Sequence, residues 1–116
     1  MLLGLDHVVV FVNDLERAKR FYCETLGLRL VVDVPGFAGV LAGGQMVGLH
    51  PTECGGADVG RGPIPYFRVT DITATVVQLS ERGVHVHKSP VLMPSGEQIA
   101  TIHDSEGNAI GLVQKR

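Results

Sequence analysis

Histidines are the residues of this sequence whose type and position could support chemistry. His7 begins one apolar run and His50 ends another, His85 and His87 are two residues apart, and His103 precedes the sequence Asp-Ser-Glu-Gly. An imidazole can bind a divalent metal ion or act as a general base near neutral pH. His85 and His87 could bind Zn or Ni weakly from one strand face, but the pattern favours imidazoles that face solvent or line a cavity. His103 is interpreted as a surface residue near a strand end.

The elements that carry these histidines form one pattern that occurs twice. Residues 7–12, HVVVFV, predict a strand by their β-branched content, and Asn13-Asp14 predicts the cap of the following helix, with Asn13 and Glu16 as a candidate capping box. Apolar residues at spacings of three and four then predict a helix that ends at Gly27. From residue 64 the same order returns, and residues 64–72 align with residues 7–15. Each half then adds two more strands joined by a glycine-containing turn.

This duplication predicts an α+β fold made of two βαβββ repeats. The repeats cover residues 5–50 and 64–114, and residues 51–63 form a polar, glycine-rich linker. A phosphate-binding loop is disfavoured in the linker because no Gly-Lys-Ser/Thr sequence follows and no helix begins there. Because an internal repeat governs the whole architecture, the 116 residues are expected to form one domain, residues 1–116.

Two segments carry a resemblance to a known family. Residues 5–28, LDHVVVFVNDLERAKRFYCETLGL, are similar to the first strand and helix of the vicinal oxygen chelate superfamily, and residues 103–113, HDSEGNAIGLV, to the turn before its last strand. This superfamily includes glyoxalase I, bleomycin-resistance proteins, extradiol dioxygenases and methylmalonyl-CoA epimerase. The resemblance implies a curved mixed sheet around a cavity, with the helices on the outer face. Function is a separate question, because one fold here hosts several chemistries.

Strand alternation separates a helix-covered face from a face that would line this cavity. The strand positions that are all apolar, such as Val8, Val10 and Val12, should pack under the helices, and the mixed positions should face the cavity. The predicted ligand-binding residues are His7, Val9, Phe11, Met46, Gly48, His50, Ile64, Tyr66, Arg68 and Gly111. Ordinary core packing of Phe11 and Met46 and a solvated Arg68 are the structural alternatives.

Metal-dependent members of the superfamily place ligands at four positions that here read His7, Gly48, Ile64 and Gly111. Only His7 has a donor atom, whereas a catalytic divalent ion usually has about three protein ligands. The resemblance therefore implies a degenerate metal site and no cofactor. In the alternative interpretation, His7 and His50 share a divalent ion such as Zn, Ni, Mn or Fe with water or substrate.

The expected function is the binding of a small organic molecule, either to sequester it or to carry it. Apolar walls with a few polar groups are typical of small-molecule sites; Gly48 and Gly111 are expected to open room, and Arg68 could pair with a carboxylate or phosphate. Without a metal ion, glyoxalase-type chemistry loses its electrophile, although His7 could still act as a base. The alternative is a metal-dependent lyase, isomerase or dioxygenase with the His7/His50 site, either a glyoxalase I-like lyase or an extradiol-type dioxygenase.

Composition and charge limit the expected partners. A formal net charge of −2 gives no general attraction to nucleic acid or to an anionic membrane surface, and the longest apolar run is too short to span a bilayer. Cys23 and Cys54 make neither a disulfide framework nor a Cys-x-x-Cys site. The sequence therefore predicts a cytoplasmic protein without a signal peptide, with reduced thiols, and the resemblance implies a homodimer.

Overall fold

A computed structural model describes residues 1, 3, 7–52 and 64–116 of the chain. The chain divides into two compact units, Met1–Val59 and Gly60–Arg116. Each unit contains one βαβββ module, so the predicted α+β fold with two repeats is confirmed. Of the predicted linker, Pro51 still belongs to a strand and Thr52 follows it, while residues 53–63, including Cys54, lie outside the described residues.

The first unit is a four-stranded mixed sheet with a helical segment after its first strand. Its strands are β1 (His7–Val12), β2 (Arg29–Val34), β3 (Phe37–Ala42) and β4 (Gln45–Pro51), and its helix α1 (Leu15–Arg20) continues as a π-helical segment, Phe21–Thr25. The strand order is β1-β4-β3-β2. β1 is parallel to β4, and the other neighbours are antiparallel.

The second unit repeats this topology. Its strands are β5 (Tyr66–Arg68), β6 (Val86–Leu92), β7 (Gln98–His103) and β8 (Ala109–Gln114) in the order β5-β8-β7-β6, and its helix is α2 (Ile72–Glu81). β5 begins two residues later than the predicted strand because Pro65 has no N–H to donate to a neighbour. The carbonyl oxygen of Pro65 still accepts a hydrogen bond from the Gly111 N–H at 2.9 Å.

Aspartates cap both helices. The side chain of Asp14 accepts a hydrogen bond from the Arg17 N–H at 3.1 Å, and Asp71 accepts one from Ala74 at the same distance. Of the two predicted cap residues of α1, Asp14 is the N-cap, so the candidate capping box of Asn13 with Glu16 is wrong. The side chain of Asn13 accepts a hydrogen bond from the Thr52 hydroxyl at 2.9 Å. An aspartate at the N-cap satisfies a backbone donor that the helix itself leaves unpaired.

Burial along β1 follows the predicted alternation, whereas β3, β4, β7 and β8 each contain three consecutive buried residues. Val10 and Val12 of β1 are buried, whereas Val9 and Phe11 are 37% and 48% exposed. The buried residues lie on the face that packs against the helix, because α1 contacts β3 and β4, and α2 contacts β7 and β8. Each sheet therefore has one helix-covered face and one open face. The open faces carry the candidate site residues.

Candidate functional site

The open face of the first sheet carries six of the predicted site residues. β1 supplies His7, Val9 and Phe11, and β4 supplies Met46, Gly48 and His50. The parallel register places His7 beside Met46 and His50 beside Phe11, four residues further along. At about 3.3 Å per residue, the two histidines are roughly 13 Å apart along the strands. A shared ion would lie about 2.1 Å from both imidazole nitrogens, so this register disfavours the alternative metal site.

Gly48 lies under an aromatic ring that the sequence did not point to. Phe37 begins β3, and β3 pairs with β4 so that Gly39 lies opposite Gly48. A methyl group at position 48 would lie 2.8 Å from Cζ and 2.9 Å from Cε1 of Phe37, well inside the optimal separation of carbon atoms. The expectation that Gly48 opens room is therefore wrong, because the Phe37 ring fills that space.

His50 makes edge-to-face contacts with two phenyl rings. Its ring centroid is 5.8 Å from that of Phe11 and 6.4 Å from that of Phe37. Nδ1 of His50 lies 2.8 Å from the carbonyl oxygen of Pro51, and because a carbonyl oxygen can only accept, Nδ1 must carry the proton. In the neutral imidazole, Nε2 is then an acceptor. The result is an aromatic surface with one hydrogen-bond acceptor.

The open face of the second sheet carries the other four predicted residues. Ile64 and Tyr66 are 42% and 50% exposed, and Arg68 is exposed at the end of β5. Tyr66 pairs with Gly111 of β8, and a Cβ atom at position 111 would overlap Cγ, Cδ1 and Cε1 of the Tyr66 ring. Gly111 does not open room either. Each sheet therefore has an aromatic-over-glycine pair, Phe37 over Gly48 or Tyr66 over Gly111.

Three histidines form a cluster on β6, β7 and the residues next to them. Nδ1 of His85 lies 3.0 Å from Nδ1 of His103, and the ring centroids of His85 and His87 are 4.9 and 4.7 Å from that of His103. Burial, followed by the charges of His87 and His85, lowers the pKa of His103, and Asp104 partly offsets this effect. His103 lies half-exposed at the end of β7, near a strand end as the sequence predicted, but it packs against two other histidines.

Cys23 is half-buried in the π-helical segment. Burial, followed by the charge of Glu24, raises the pKa of its thiol. The thiolate is the reactive form of cysteine, and a raised pKa reduces its population at neutral pH. Cys23 therefore gives no support for covalent catalysis.

Phe37 and the pairing of His85 with His103 were missed by sequence reasoning. A partial signal for Phe37 existed in Gly48, whose missing side chain leaves space for a neighbouring ring, whereas Met46 and Val32 occupy the space at Gly39. His85 and His103 become neighbours because β6 pairs antiparallel with β7, and side chains on facing strands interact across the pair. Both signals need the strand register, which a single sequence does not supply.

A family model identifies the class of protein. The model of the Glyoxalase/Bleomycin resistance protein/Dioxygenase superfamily matches residues 4–112. This match covers nearly the whole chain and both βαβββ modules. The protein therefore belongs to this superfamily, as its sequence resemblance implied.

Individual relatives include a probable enzyme and a binding protein. A probable lactoylglutathione lyase from Synechocystis sp. is 30% identical, over 95% of this chain and 94% of its own length. TnmS3, an antibiotic binding protein from Streptomyces sp. CB03234, is 32% identical in sequence to this chain. Its crystal structure aligns over 99% of this chain and 100% of its own chain, with a TM-score of 0.79. A superfamily member from Sphaerobacter thermophilus DSM 20745 is 30% identical, covers 99% of this chain and 100% of its own, and has a TM-score of 0.76.

The residues present do not fit the metal ion that some members of this superfamily use. Of the four positions, His7 has a donor atom, Ile64 has none, and the two glycines lie against aromatic rings that a ligand side chain would displace. Among the residues that the structure describes, no group of three or more His, Cys, Asp or Glu side chains is arranged to hold a metal ion. These positions therefore do not supply the three or so protein ligands that a catalytic metal ion usually has.

No helix within the described part of the chain is both long and apolar enough to cross a membrane.

Proposed function

We propose that this protein binds a small organic molecule with aromatic character, without catalysis, on the open faces of its sheets. The observation that carries the proposal is the aromatic-over-glycine pair in each unit. At Gly48 and Gly111, where metal-dependent relatives have ligands, this chain packs Phe37 and Tyr66 instead. Aromatic rings on an exposed sheet face offer a stacking surface and a large apolar contact area.

On the first sheet, Phe11, His50 and Phe37 supply that surface. Their edge-to-face contacts hold the rings together, and Phe11 remains 48% exposed. Because Nδ1 of His50 donates to Pro51, its Nε2 can accept a hydrogen bond from a hydroxyl or amide of the ligand. An apolar surface with one directional polar group is the usual composition of a small-molecule site.

On the second sheet, Tyr66 supplies the aromatic surface and Arg68 supplies a charge. The two residues alternate with Phe67 on β5, so they share the open face. The guanidinium of Arg68 can donate two parallel hydrogen bonds to a carboxylate, sulfonate or phosphate. We therefore expect an aromatic ligand that carries a negative group.

One relative supports the binding function, and another supports an alternative function. TnmS3 is described as an antibiotic binding protein, which agrees with a non-catalytic role on the same fold. The probable lactoylglutathione lyase favours the alternative of a metal-dependent lyase. That chemistry needs a metal ion to polarise substrate oxygens, and His7 is the single donor among the four ligand positions. We also propose that the protein is cytoplasmic and forms a homodimer.

The test uses 8-anilinonaphthalene-1-sulfonate, an aromatic anion whose fluorescence rises in apolar surroundings. We expect the wild-type protein to bind it, with affinity reduced by about threefold or more in Tyr66→Ala and in Arg68→Gln. The matched control is Val77→Ala, which removes an apolar side chain that is 51% exposed on α2 and should not change binding. Thermal unfolding of each variant checks that it remains folded.

A second readout comes from tyrosine fluorescence, because the chain has two tyrosines and no tryptophan. Tyr22 is fully buried, whereas Tyr66 is 50% exposed, so a ligand on the open face should quench Tyr66. The quenching should disappear in Tyr66→Phe. Binding that is equal in wild type, Tyr66→Ala, Arg68→Gln and Phe11→Ala would contradict the proposal. Turnover to lactoylglutathione by the metal-loaded protein would establish the lyase alternative.

A further inference from the structure

We propose that His85 and His103 bind a divalent transition-metal ion through their Nδ1 atoms. These two nitrogens lie 3.0 Å apart. His85 is exposed and His103 is half-exposed, so a hydrated ion can reach both rings from solvent. The site differs from the four ligand positions discussed above, and the proposed binding of an organic molecule does not depend on it.

The separation of the two nitrogens fits one coordination geometry better than another. Transition-metal ions bind imidazole nitrogen at about 2.0–2.1 Å, so two ligands at a right angle are about 2.8–3.0 Å apart, and two ligands at a tetrahedral angle about 3.3–3.4 Å. The observed 3.0 Å matches adjacent positions of a square-planar or octahedral ion. Cu(II) and Ni(II) prefer such geometries with nitrogen ligands, and Cu(II) binds most tightly among the divalent first-row ions.

The backbone fixes the relative position of the two imidazoles. The N–H of His103 donates to the carbonyl oxygen of His85 at 2.9 Å, which continues the pairing of β6 with β7. Side chains of such directly opposed residues project to the same side of the sheet with Cβ atoms close together. The two donors are therefore held near each other before an ion binds, and this preorganisation lowers the entropic cost of chelation.

His87 packs against the site and is not a third ligand. Its ring centroid lies 4.7 Å from that of His103, with the ring planes 24° apart. This near-parallel contact restrains rotation of the His103 ring. Since the described residues contain no three-ligand arrangement, water would complete the coordination of the ion. A site with two protein ligands and several waters binds its ion exchangeably and more weakly than a structural metal site.

Proton placement allows the two nitrogens to become ligands. Without an ion, one Nδ1 donates a hydrogen bond to the other, so one Nδ1 carries a proton. Metal binding requires a lone pair on both Nδ1 atoms. Transfer of that proton to Nε2 of the same ring gives two neutral imidazoles, each with Nε2–H, and the total number of protons is unchanged.

The experiment is isothermal titration calorimetry of the chelator-treated, tag-free protein with Cu(II), using glycine as a competing ligand. We expect one ion per chain with a dissociation constant in the micromolar range, and at least about a tenfold weakening in His85→Gln and in His103→Gln. His87→Gln should change the affinity less. His50→Gln and His7→Gln are the matched controls, because they remove an imidazole of the first unit, and they should leave the affinity unchanged.

Spectroscopy identifies the ligands independently of affinity. Electron paramagnetic resonance of the Cu(II) form should show coordination by two nitrogens in the wild type and by one in His85→Gln. Equal affinity of wild type, His85→Gln and His103→Gln, loss of binding in His50→Gln or His7→Gln, or no Cu(II) binding at all would overturn the proposal. If circular dichroism shows that His103→Gln is unfolded, His85→Gln decides alone, because its side chain is exposed. The sulfonate-binding test of the proposed function is unaffected by either result.

Discussion

In each of the two sheets an aromatic ring covers the glycine at the equivalent position, but the ring comes from a different neighbouring strand. In the first sheet, Phe37 reaches Gly48 from β3, the antiparallel neighbour of β4; in the second, Tyr66 reaches Gly111 from β5, the parallel neighbour of β8. The atoms in contact differ as well. Gly48 faces the far end of the Phe37 ring, whereas Gly111 faces one side of the Tyr66 ring, from Cγ through Cδ1 to Cε1. The repeat thus determines where the strands lie, and either neighbouring strand can cover the glycine.

The hairpins that lead into β4 and β8 differ even more. In the first unit, Gly43 and Gly44 connect β3 to β4, and Gly43 has a φ of 61° that favours glycine. In the second unit, the side chain of Asp104 organises the turn. Asp104 accepts hydrogen bonds from the N–H groups of Glu106 and Asn108 at 2.8 and 2.9 Å, and from Nδ2 of Asn108 at 2.9 Å. Gly107 in the second turn has a φ of 85°, so both turns use a glycine with positive φ, and the second is stabilised in addition by a carboxylate.

The largest expected effect is therefore in the second hairpin. Asp104 is 6% exposed, and Asp104→Ala leaves buried N–H donors without their acceptor, so we expect the free energy of unfolding to fall by about 2–3 kcal/mol. Urea denaturation followed by circular dichroism measures this change. Asp33→Ala is the control, because its carboxylate forms an exposed ion pair with Lys19 and should cost less than about 1 kcal/mol. Equal losses in the two variants would show that the carboxylate does not stabilise the turn.

The next effect separates the two aromatic-over-glycine pairs. We expect Gly111→Ala to cost about 1–3 kcal/mol of unfolding free energy, because the added methyl group overlaps Cγ, Cδ1 and Cε1 of the Tyr66 ring, and Cγ cannot move without a change of rotamer. Gly48→Ala should cost less, since the tip of the Phe37 ring can shift aside. Gly44→Ala, with nothing within 4 Å of the added methyl group, is the control. Denaturant titration of the three variants gives the order.

A double variant sharpens this prediction. The double variant with Tyr66→Ala and Gly111→Ala should lose less unfolding free energy than the two single variants lose together, because the clash is absent once the ring is removed. An equal or larger cost at Gly48 than at Gly111 would contradict the comparison. So would strict additivity in the Tyr66 and Gly111 pair.

The smallest effect concerns pH and the second unit's histidine cluster. Burial and two neighbouring histidines lower the pKa of His103 below its ordinary value of 6.5. In the window between these values the unfolded chain binds more protons than the folded one, so stability falls as the pH drops through 6.5 towards the lowered value. His103→Gln should reduce this loss. Thermal unfolding across that range measures this loss, and an unchanged pH dependence in His103→Gln would contradict the assignment.

Much of the fold could be predicted from the sequence because it depends on local patterns. Alternation of valines in residues 7–12 predicts which strand face is buried, and Gly27 and Gly83, with φ of 77° and 85°, mark the helix ends. The boundary of β5 was missed, since the missing donor of Pro65 acts against the β-branched pattern. The π-helical turn Phe21–Thr25 has no signal in the spacing of apolar residues.

The candidate site could be predicted only in part. The sequence suggested which residues share a strand face, but it could not give the register between strands. The register between β1 and β4 places His7 and His50 far apart, although both lie on the same face of the sheet. The register between β6 and β7 places His103 next to His85. The glycines were interpreted as open space because their neighbours across the sheet were unknown. Contacts between distant residues therefore account for most of the errors.

The outer strands of the two sheets have a consequence for self-association. β2 and β6 lie at one edge of their sheets, and both pair irregularly, with shifts of register between Leu30 and Val32 and at two places in β6, which also contains Pro90. Irregular pairing twists an edge and interrupts its row of backbone donors and acceptors, and proline removes one donor. Exposed apolar residues such as Val34 and Leu92 therefore stand on edges that are poor templates for a further strand. The chain can keep these side chains at its surface with little risk of amyloid-like growth.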